Sequence, residues 1–281
     1  MAVATLALAA SAACTSTPAV LTELSEVRRL ASDMRVAFTK ASDASNRAVM
    51  ADTDDASAVA ARESREHAAR LQTILEQVEP HLHSLGYQEE IASLERFKVK
   101  LAEYRTLDDE ILPLATENTN LKAQRLSFGE GQQAADAFVA ALDSAAAASS
   151  TAESQVQAST AVKAVLGIQV VQARHIAEAD NPSMDRMEQQ MATLEQTARE
   201  AVGRLRSARS APSSGALDTA TAALDRFMAV NRDIVQLSRR NTNVRSLALS
   251  LGRKRVVVAE CEDELNRLDE ALARHSFDAT R

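Results

Sequence analysis

The sequence predicts an all-α protein, an elongated antiparallel bundle of about six helices. Three observations lead there. The 281 residues include only seven Gly, five Pro, two Tyr and no Trp, while Ala, Leu, Glu, Arg and Ser dominate. Strand and turn formers are therefore scarce and good helix formers abundant. Apolar residues recur three and four positions apart, the stripe that one helix presents to others. With 3% aromatics, the core has to be made of Ala, Leu, Val and Ile, which suits slender helix-on-helix packing.

The first 18 residues stand apart. "MAVATLALAASAAC" is small and apolar without Lys or Arg, and it gives way to Thr15–Pro18 before reaching the length of a membrane span. Three readings stay open. Cys14 could be the acylated residue of a lipoprotein-type signal, although the basic n-region is absent and Ser11 stands where such signals carry Leu. The stretch could be the outer end of a membrane anchor whose beginning precedes Met1, or a frayed cytoplasmic N-terminus.

Breakers then divide the chain into helical segments. The first runs from about 18 to 50 and ends at "ADTDDAS", where Asp55 or Ser57 can cap the next. The second, about 58–85, stops at Gly86, a suitable C-cap. The third, about 88–128, contains Pro113, which removes a backbone hydrogen bond and favours a kink. "GEG" at 129–131 either breaks the chain or bends a continuing helix. The fourth spans about 132–179 up to "ADNPSMD", a turn and N-cap signal, the fifth about 184–209, and the sixth about 217–275. At about 1.5 Å per residue the third and sixth would reach roughly 60 and 90 Å, the dimensions of a rod.

A shift of 123 residues reveals an internal repeat. Leu94, Leu101, Ile111, Leu114, Asn118, Thr119, Asn120, Leu126 and Gly129 match Leu217, Leu224, Ile234, Leu237, Asn241, Thr242, Asn243, Leu249 and Gly252, and Leu71/Leu194 and Leu82/Leu205 extend the register. Two three-helix units, 19–142 and 143–281, are read as duplicates that pack together.

The repeat centres on Asn-Thr-Asn. Asn118 and Asn241 fall on heptad seams, one through Leu107, Ile111, Leu114, Leu121, Arg125 and Phe128, the other through Val230, Ile234, Leu237, Val244, Ala248 and Leu251. They should be at least partly buried. Thr119 and Thr242 are expected to bond back to the preceding turn, and Asn120 and Asn243 to face solvent. Two roles remain open. A seam Asn can pair with another polar group, even its duplicate, and set register. Alternatively, Asn118, Thr119, Asn241 and Thr242, with the nearby cations Arg125 and Arg245, can line an interhelical pocket that takes a small, anionic ligand. Lys122, Arg239, Arg240, Arg253, Lys254 and Arg255 add to that local basic excess.

Other chemistry is thin. The formal charge of −7 and pI near 5.4 provide no basic footprint for nucleic acid. Two cysteines exclude a disulfide framework, and the five scattered His make no metal or haem motif. Acidic pairs such as Asp108-Asp109 read as solvated faces, and Cys261 as a small core residue. Neither an enzyme nor a metal or cofactor site is expected.

"FMAVNRDIVQLSRRNTNVRSLALSLGRKRVVVAECEDELNRLDEAL", residues 227–272, resembles the periplasmic four-helix-bundle sensory domains of bacterial methyl-accepting chemotaxis receptors, and six helices in two related halves fit their bimodular relatives. "EILPLATENTNLKAQRLSFGEGQQAADAFVAAL" at 110–142 is similar in kind. The resemblance implies a coiled-coil, signal-transduction sensory module on the periplasmic side, membrane-associated through its N-terminus. It would recognise a small molecule or a solute-binding protein and form a homodimer through the long helices. After "HSFDATR" the sequence shows no cytoplasmic signalling part, so transmembrane signalling is expected to need another component. The alternative is a scaffold that binds another helical protein without a small-molecule ligand, in the cytoplasm or outside it.

Overall fold

The chain is helical throughout in a computed structural model that describes residues 16–148, 151–208 and 214–278. In order it forms α1 (Ser16–Met50), α2 (Asp54–Leu85), α3 (Gln88–Glu117), α4 (Thr119–Leu126), a π-helical turn (Ser127–Gly131) and α5 (Gln132–Ala148). There follow α6 (Ala152–Ala177), α7 (Asn181–Ser207), α8 (Ser214–Arg240), α9 (Thr242–Leu249), a second π turn (Ser250–Lys254) and α10 (Arg255–Asp278). Only single residues, Asn118 and Asn241, separate α3 from α4 and α8 from α9, and the π turns do not interrupt the chain of helical residues. Six helical stretches therefore result, without a strand among the described residues. None of these helices is long and apolar enough to cross a membrane. The leader reading concerns residues 1–18, of which 1–15 lie outside the described residues.

Local chemistry sets the ends. Gly86 closes α2 at φ 70°, ψ 24°, a left-handed cap that glycine adopts without a Cβ clash. Asp180 caps α7, its carboxylate accepting from Ser183 N at 2.8 Å. The cap of α2 is Thr53, which accepts from Ala56 N at 3.2 Å, and not Asp55 or Ser57. Ser57 is instead wholly buried and donates to the carbonyls of Ala48 and Ala115 at 2.9 Å each.

Two expected boundaries move. "GEG" does not break the helix, because the π turn accommodates Gly129 and Gly131 within it. The fourth segment is not continuous over 132–179: Thr151 Oγ1 accepts from Ser154 N at 3.3 Å and starts α6 afresh. The third and sixth segments are not continuous either, since the breaks at Asn118 and Asn241 divide them.

Two compact units emerge, residues 1–116 with 246–281, and residues 117–245. In the first, Val27, Leu30, Met34 and Phe38 of α1 share a core with Leu71 and Val78 of α2, Phe97 and Leu101 of α3, and Val257, Cys261 and Leu265 of α10. Phe38 packs edge-on against Phe97 and Tyr104, with centroids 5.9 and 5.3 Å away. Neighbouring helices run antiparallel: Arg28 reaches the Leu272 carbonyl while Lys254 reaches Ser45. In the second unit, Phe138 and Leu142 of α5, Val165 and Ile168 of α6, Met191 and Leu205 of α7, and Leu224 and Phe227 of α8 make the equivalent core. Each compact unit thus draws on both sequence repeats.

The repeat register needs refinement. The buried row of α3 is Phe97, Leu101, Tyr104, Asp108, Ile111, Ala115, Asn118, and that of α8 is Ala220, Leu224, Phe227, Asn231, Ile234, Ser238, Asn241, each pair 123 residues apart. Leu107, Leu114 and Leu237 are only half-buried. In the preceding helices the buried positions match at 127 residues: Leu71, Ile74, Leu75 and Val78 correspond to Ala198, Ala201, Val202 and Leu205. The pairs Leu71/Leu194 and Leu82/Leu205 are therefore out of structural register. Beyond the Asn breaks the expected seam fails outright, with Phe128 71% and Leu251 64% exposed. A break and an added π-turn residue rotate the apolar stripe, which resumes at Gly131 and Ala134 in one copy and at Lys254 and Val257 in the other.

Candidate functional site

Both Asn-Thr-Asn triplets lie in the second unit and come together there. Asn118 and Asn241 have φ of 53° and 55°, the left-handed conformation that Asn tolerates better than most residues. Each ends one helix and starts another, leaving the first N–H groups of α4 and α9 without an intrahelical acceptor. The other copy supplies it. Thr119 N donates to Thr242 Oγ1 at 3.1 Å and Thr242 N to Thr119 Oγ1 at 3.2 Å. Asn120 N donates to Asn243 Oδ1, and Asn243 N to Asn120 Oδ1, both at 3.1 Å. The side chains of each triplet thus cap the other's helix. Asn120 Nδ2 bonds Asn241 Oδ1, and Asn243 Nδ2 bonds Asn118 Oδ1, each at 2.8 Å.

Of the six residues expected to bind ligand, Asn118, Thr119, Asn241 and Thr242 converge in this clasp, whereas Arg125 and Arg245 are exposed. Asn120 is buried, not solvent-facing, because its backbone and side chain both serve the clasp. The threonines bond across it and not to the preceding turn, whose helix has ended. The repeats are not fully symmetric. Asn241 Nδ2 donates to the Glu178 carbonyl at 2.8 Å, while the buried Asn118 Nδ2 finds no acceptor. Glu117 and Arg240, which correspond in the repeat, form an ion pair where identical copies would place like charges together. Much of the local basic excess is similarly paired: Arg239 with Asp185 and Glu188, Arg253 with Glu103, Lys254 with Asp108.

That last pair is the chemical centre of the first unit. Lys254 is 1% and Asp108 6% exposed. Lys254 Nζ lies 2.7 Å from Asp108 Oδ1 and donates to Ser45 Oγ, which itself donates to Asp108 Oδ1 at 2.6 Å. Ser64 Oγ is 3.2 Å from the other carboxylate oxygen. Burial lowers the Lys254 pKa, with the Asp108 charge opposing. Burial, and next the same carboxylate, push the Tyr104 hydroxyl well up. That hydroxyl is buried and has no hydrogen-bond partner, and the Lys254 ammonium stands 5.3 Å from the ring centroid.

Beside the pair opens a cavity of about 310 Å³. Ser42, Asn46, Ser250, Lys254 and Arg255 line it with polar groups, and Val49, Met50, Leu247, Leu251 and Val258 with apolar ones. The sequence places Asp108 on a solvated face and counts Lys254 in the basic excess around the second triplet, so it does not pair the two. The signal was in the spacing, since Asp108 sits three before Ile111 and four after Tyr104 in an otherwise apolar heptad row.

The second unit has a neutral version of the same arrangement. Asn231 replaces Asp108, Phe227 replaces Tyr104, Gln172 takes the place of Ser45 and Gly131 that of Lys254. Gln172 Nε2 donates to Asn231 Oδ1 at 2.6 Å, and Ser127 Oγ to Gln172 Oε1 at 3.2 Å. Near the clasp, His175 Nδ1 meets Ser238 Oγ, and Nε2 lies 2.9 Å from Glu188 Oε1. Burial opposes Glu188 ionisation, but bonds from Arg239 and His175 outweigh it and hold the carboxyl below its usual range. This series has the residue types of a Ser-His-Glu triad, yet His175 and Ser238 are both wholly buried, so the hydroxyl is not presented to a substrate. Cys261, buried and free, has its thiol pushed up to about 12 by desolvation, which suits packing and not nucleophilic chemistry. Among the described residues no three His, Cys, Asp or Glu gather as a metal site would need.

Comparison with known proteins adds no relative: no family model, curated protein or solved structure matches the chain.

Proposed function

We propose that the chain is a non-enzymatic sensory module that binds a small molecule, on the pattern of the chemoreceptor domains that residues 227–272 resemble. One observation carries the reading. On a duplicated scaffold, one copy keeps a neutral amide pair, while the other pays the desolvation of a buried Lys–Asp pair beside an open cavity. A purely structural helix bundle gains no stability from that cost, since an apolar or amide pair holds helices together as well. Buried ionic groups next to a cavity are the usual mark of a binding site.

Calorimetry and thermal unfolding of the whole chain against a panel of organic acids, amino acids and apolar acids test the proposal. Saturable heat with a raised midpoint for at least one compound is the expected result. Silence across the panel, with a concentration-dependent oligomer, would favour the scaffold instead. The clasp lends that scaffold reading some support, because its amides are occupied with each other. An extracytoplasmic, membrane-associated location belongs to the same proposal, and cell fractionation with sequencing of the mature N-terminus tests it. An intact cytoplasmic Met1 counts against it.

A further inference from the structure

We infer that the cavity of the first unit is built for a small anion with an apolar tail, the carboxylate of a medium-chain acid being the simplest example. The inference rests on the ligand-binding reading above and assigns its site and ligand class. Size comes first. About 310 Å³ lies at the lower end of the roughly 300–1,000 Å³ typical of ligand pockets, so the occupant is small. Charge comes second. The lining contains two cations, Lys254 and Arg255, and no Asp or Glu. Asp108 is not in the lining; it stands behind Lys254 and keeps the ammonium in place. Asp108 and Ser45 take two of the three N–H groups of that buried ammonium, so Lys254 adds positive charge behind the wall while the exposed Arg255 offers its guanidinium directly. Ser42 and Ser250, each 8% exposed, add hydroxyls to the lining.

The rest of the lining is apolar. It comprises Val49, Met50, Leu247, Leu251 and Val258, of which Met50 and Leu251 are 72% and 64% exposed. Large apolar side chains left in solvent beside a polar cavity are accounted for by a tail that covers them. The π turn Ser250–Lys254 creates this division, turning Lys254 inward while Leu251 faces out. The same turn in the second unit also exposes an apolar residue, Phe128, but its inward position is Gly131. That position has no cation to meet a head group and provides the internal control.

Calorimetric titration of the full chain with octanoate, octanol and octylamine distinguishes the possibilities. Octanoate should bind at least tenfold more tightly than either analogue. Leu251→Asp puts a like charge at the margin, at an exposed position that does not compromise folding, and should weaken octanoate at least tenfold. Phe128→Asp should leave it unchanged. In Lys254→Met/Asp108→Asn, which reproduces the neutral character of the second unit, the preference for octanoate over octanol should vanish. Equal binding of octanol or octylamine overturns the ligand class, and octanoate binding unaltered in Leu251→Asp overturns the site. If octanoate fails but another panel compound binds, this inference falls and the ligand-binding reading survives. If nothing in the panel binds, both fall.

Discussion

The two units solve one packing problem in two ways. At the same level of the same heptad row, α3 carries Asp108 and α8 carries Asn231, both within 6% of full burial. Around Asp108 gather Lys254, Ser45, Ser64 and an unpartnered Tyr104 hydroxyl, whereas Asn231 meets Gln172 in a direct amide bond. A buried amide pair carries no net charge to desolvate, and Ser127 satisfies a further acceptor on Gln172. A buried ion pair costs several kcal/mol per ion in desolvation before attraction returns any of it. The first unit therefore carries an expense that the second avoids with nearly the same backbone. Cavities of about 310 and 290 Å³ lie beside Lys254 and beside Asn231, and only the first has a buried cation in its lining.

The largest expected effect comes from breaking that pair on one side. Lys254→Met leaves the Asp108 carboxylate buried with only serine hydroxyls, and should cost about 3–5 kcal/mol in chemical denaturation. Lys254→Met/Asp108→Asn removes both charges, and should return to within about 1 kcal/mol of the parent, with Asn at 108 matching Asn231 of the other unit. A single substitution that costs under about 1 kcal/mol would mean that the pair is solvated and that the contrast between units is only one of sequence.

Alkaline unfolding provides a second contrast. Cys261 occupies in the first unit the place that Phe138 has in the second, and both are wholly buried. Its folded thiol titrates at about 12 instead of the ordinary 9.0. The raised value means that the stability contribution is full below pH 9 and is lost as pH rises from 9 towards 12, by up to roughly 4 kcal/mol. Burial also lowers the Lys254 pKa, so the useful quantity is a difference. Stability of the parent minus that of Cys261→Ala should fall across this window and stay level below it. A parallel pair of curves would show that the thiol is open to solvent.

Within the clasp the asymmetry is smaller. Glycine at 118 or 241 preserves the left-handed backbone and removes the amide. Asn241 gives up two hydrogen bonds, to Asn120 and the Glu178 carbonyl, but Asn118 only the one from Asn243. Asn241→Gly should therefore destabilise by about 2–3 kcal/mol and Asn118→Gly by about 1. Equal losses would indicate that Asn118 Nδ2 also has a good acceptor.

These contrasts explain what the sequence could reveal. Helix content, the Gly86 and Asp180 caps and the burial of Asn118, Asn241 and Cys261 follow from local propensity and spacing. The position of the breaks does not. A single left-handed Asn costs a helix little when another segment caps the new end, and that partner lies 123 residues away. Similarly, Asp108 is read as solvated until Lys254 is known to face it, and the π turn that turns Lys254 inward has no composition of its own. Both misreadings arise from contacts distant in sequence, which periodicity within one helix does not encode.

The smallest effect tests why the second unit has no side chain at the position of Lys254. Gly129 and Gly131 share its π turn, yet they differ in surroundings. A Cβ at Gly129 meets nothing within 4 Å, while one at Gly131 comes within 3.1 Å of the Leu126 carbonyl oxygen and 3.6 Å of Val230 Cγ1. The nearest obstacle at Gly131 is backbone, which cannot rotate aside as a side chain would. Replacing helical Gly by Ala gains about 0.5–1 kcal/mol from reduced chain entropy when there is room. Gly129→Ala should realise that gain in denaturant melts, and Gly131→Ala should show none of it or a net loss. If both stabilise equally, packing does not forbid a side chain at 131. The absence of a lysine there would then reflect the choice of residue alone, and the second unit could be converted to the charged form by Gly131→Lys with Asn231→Asp.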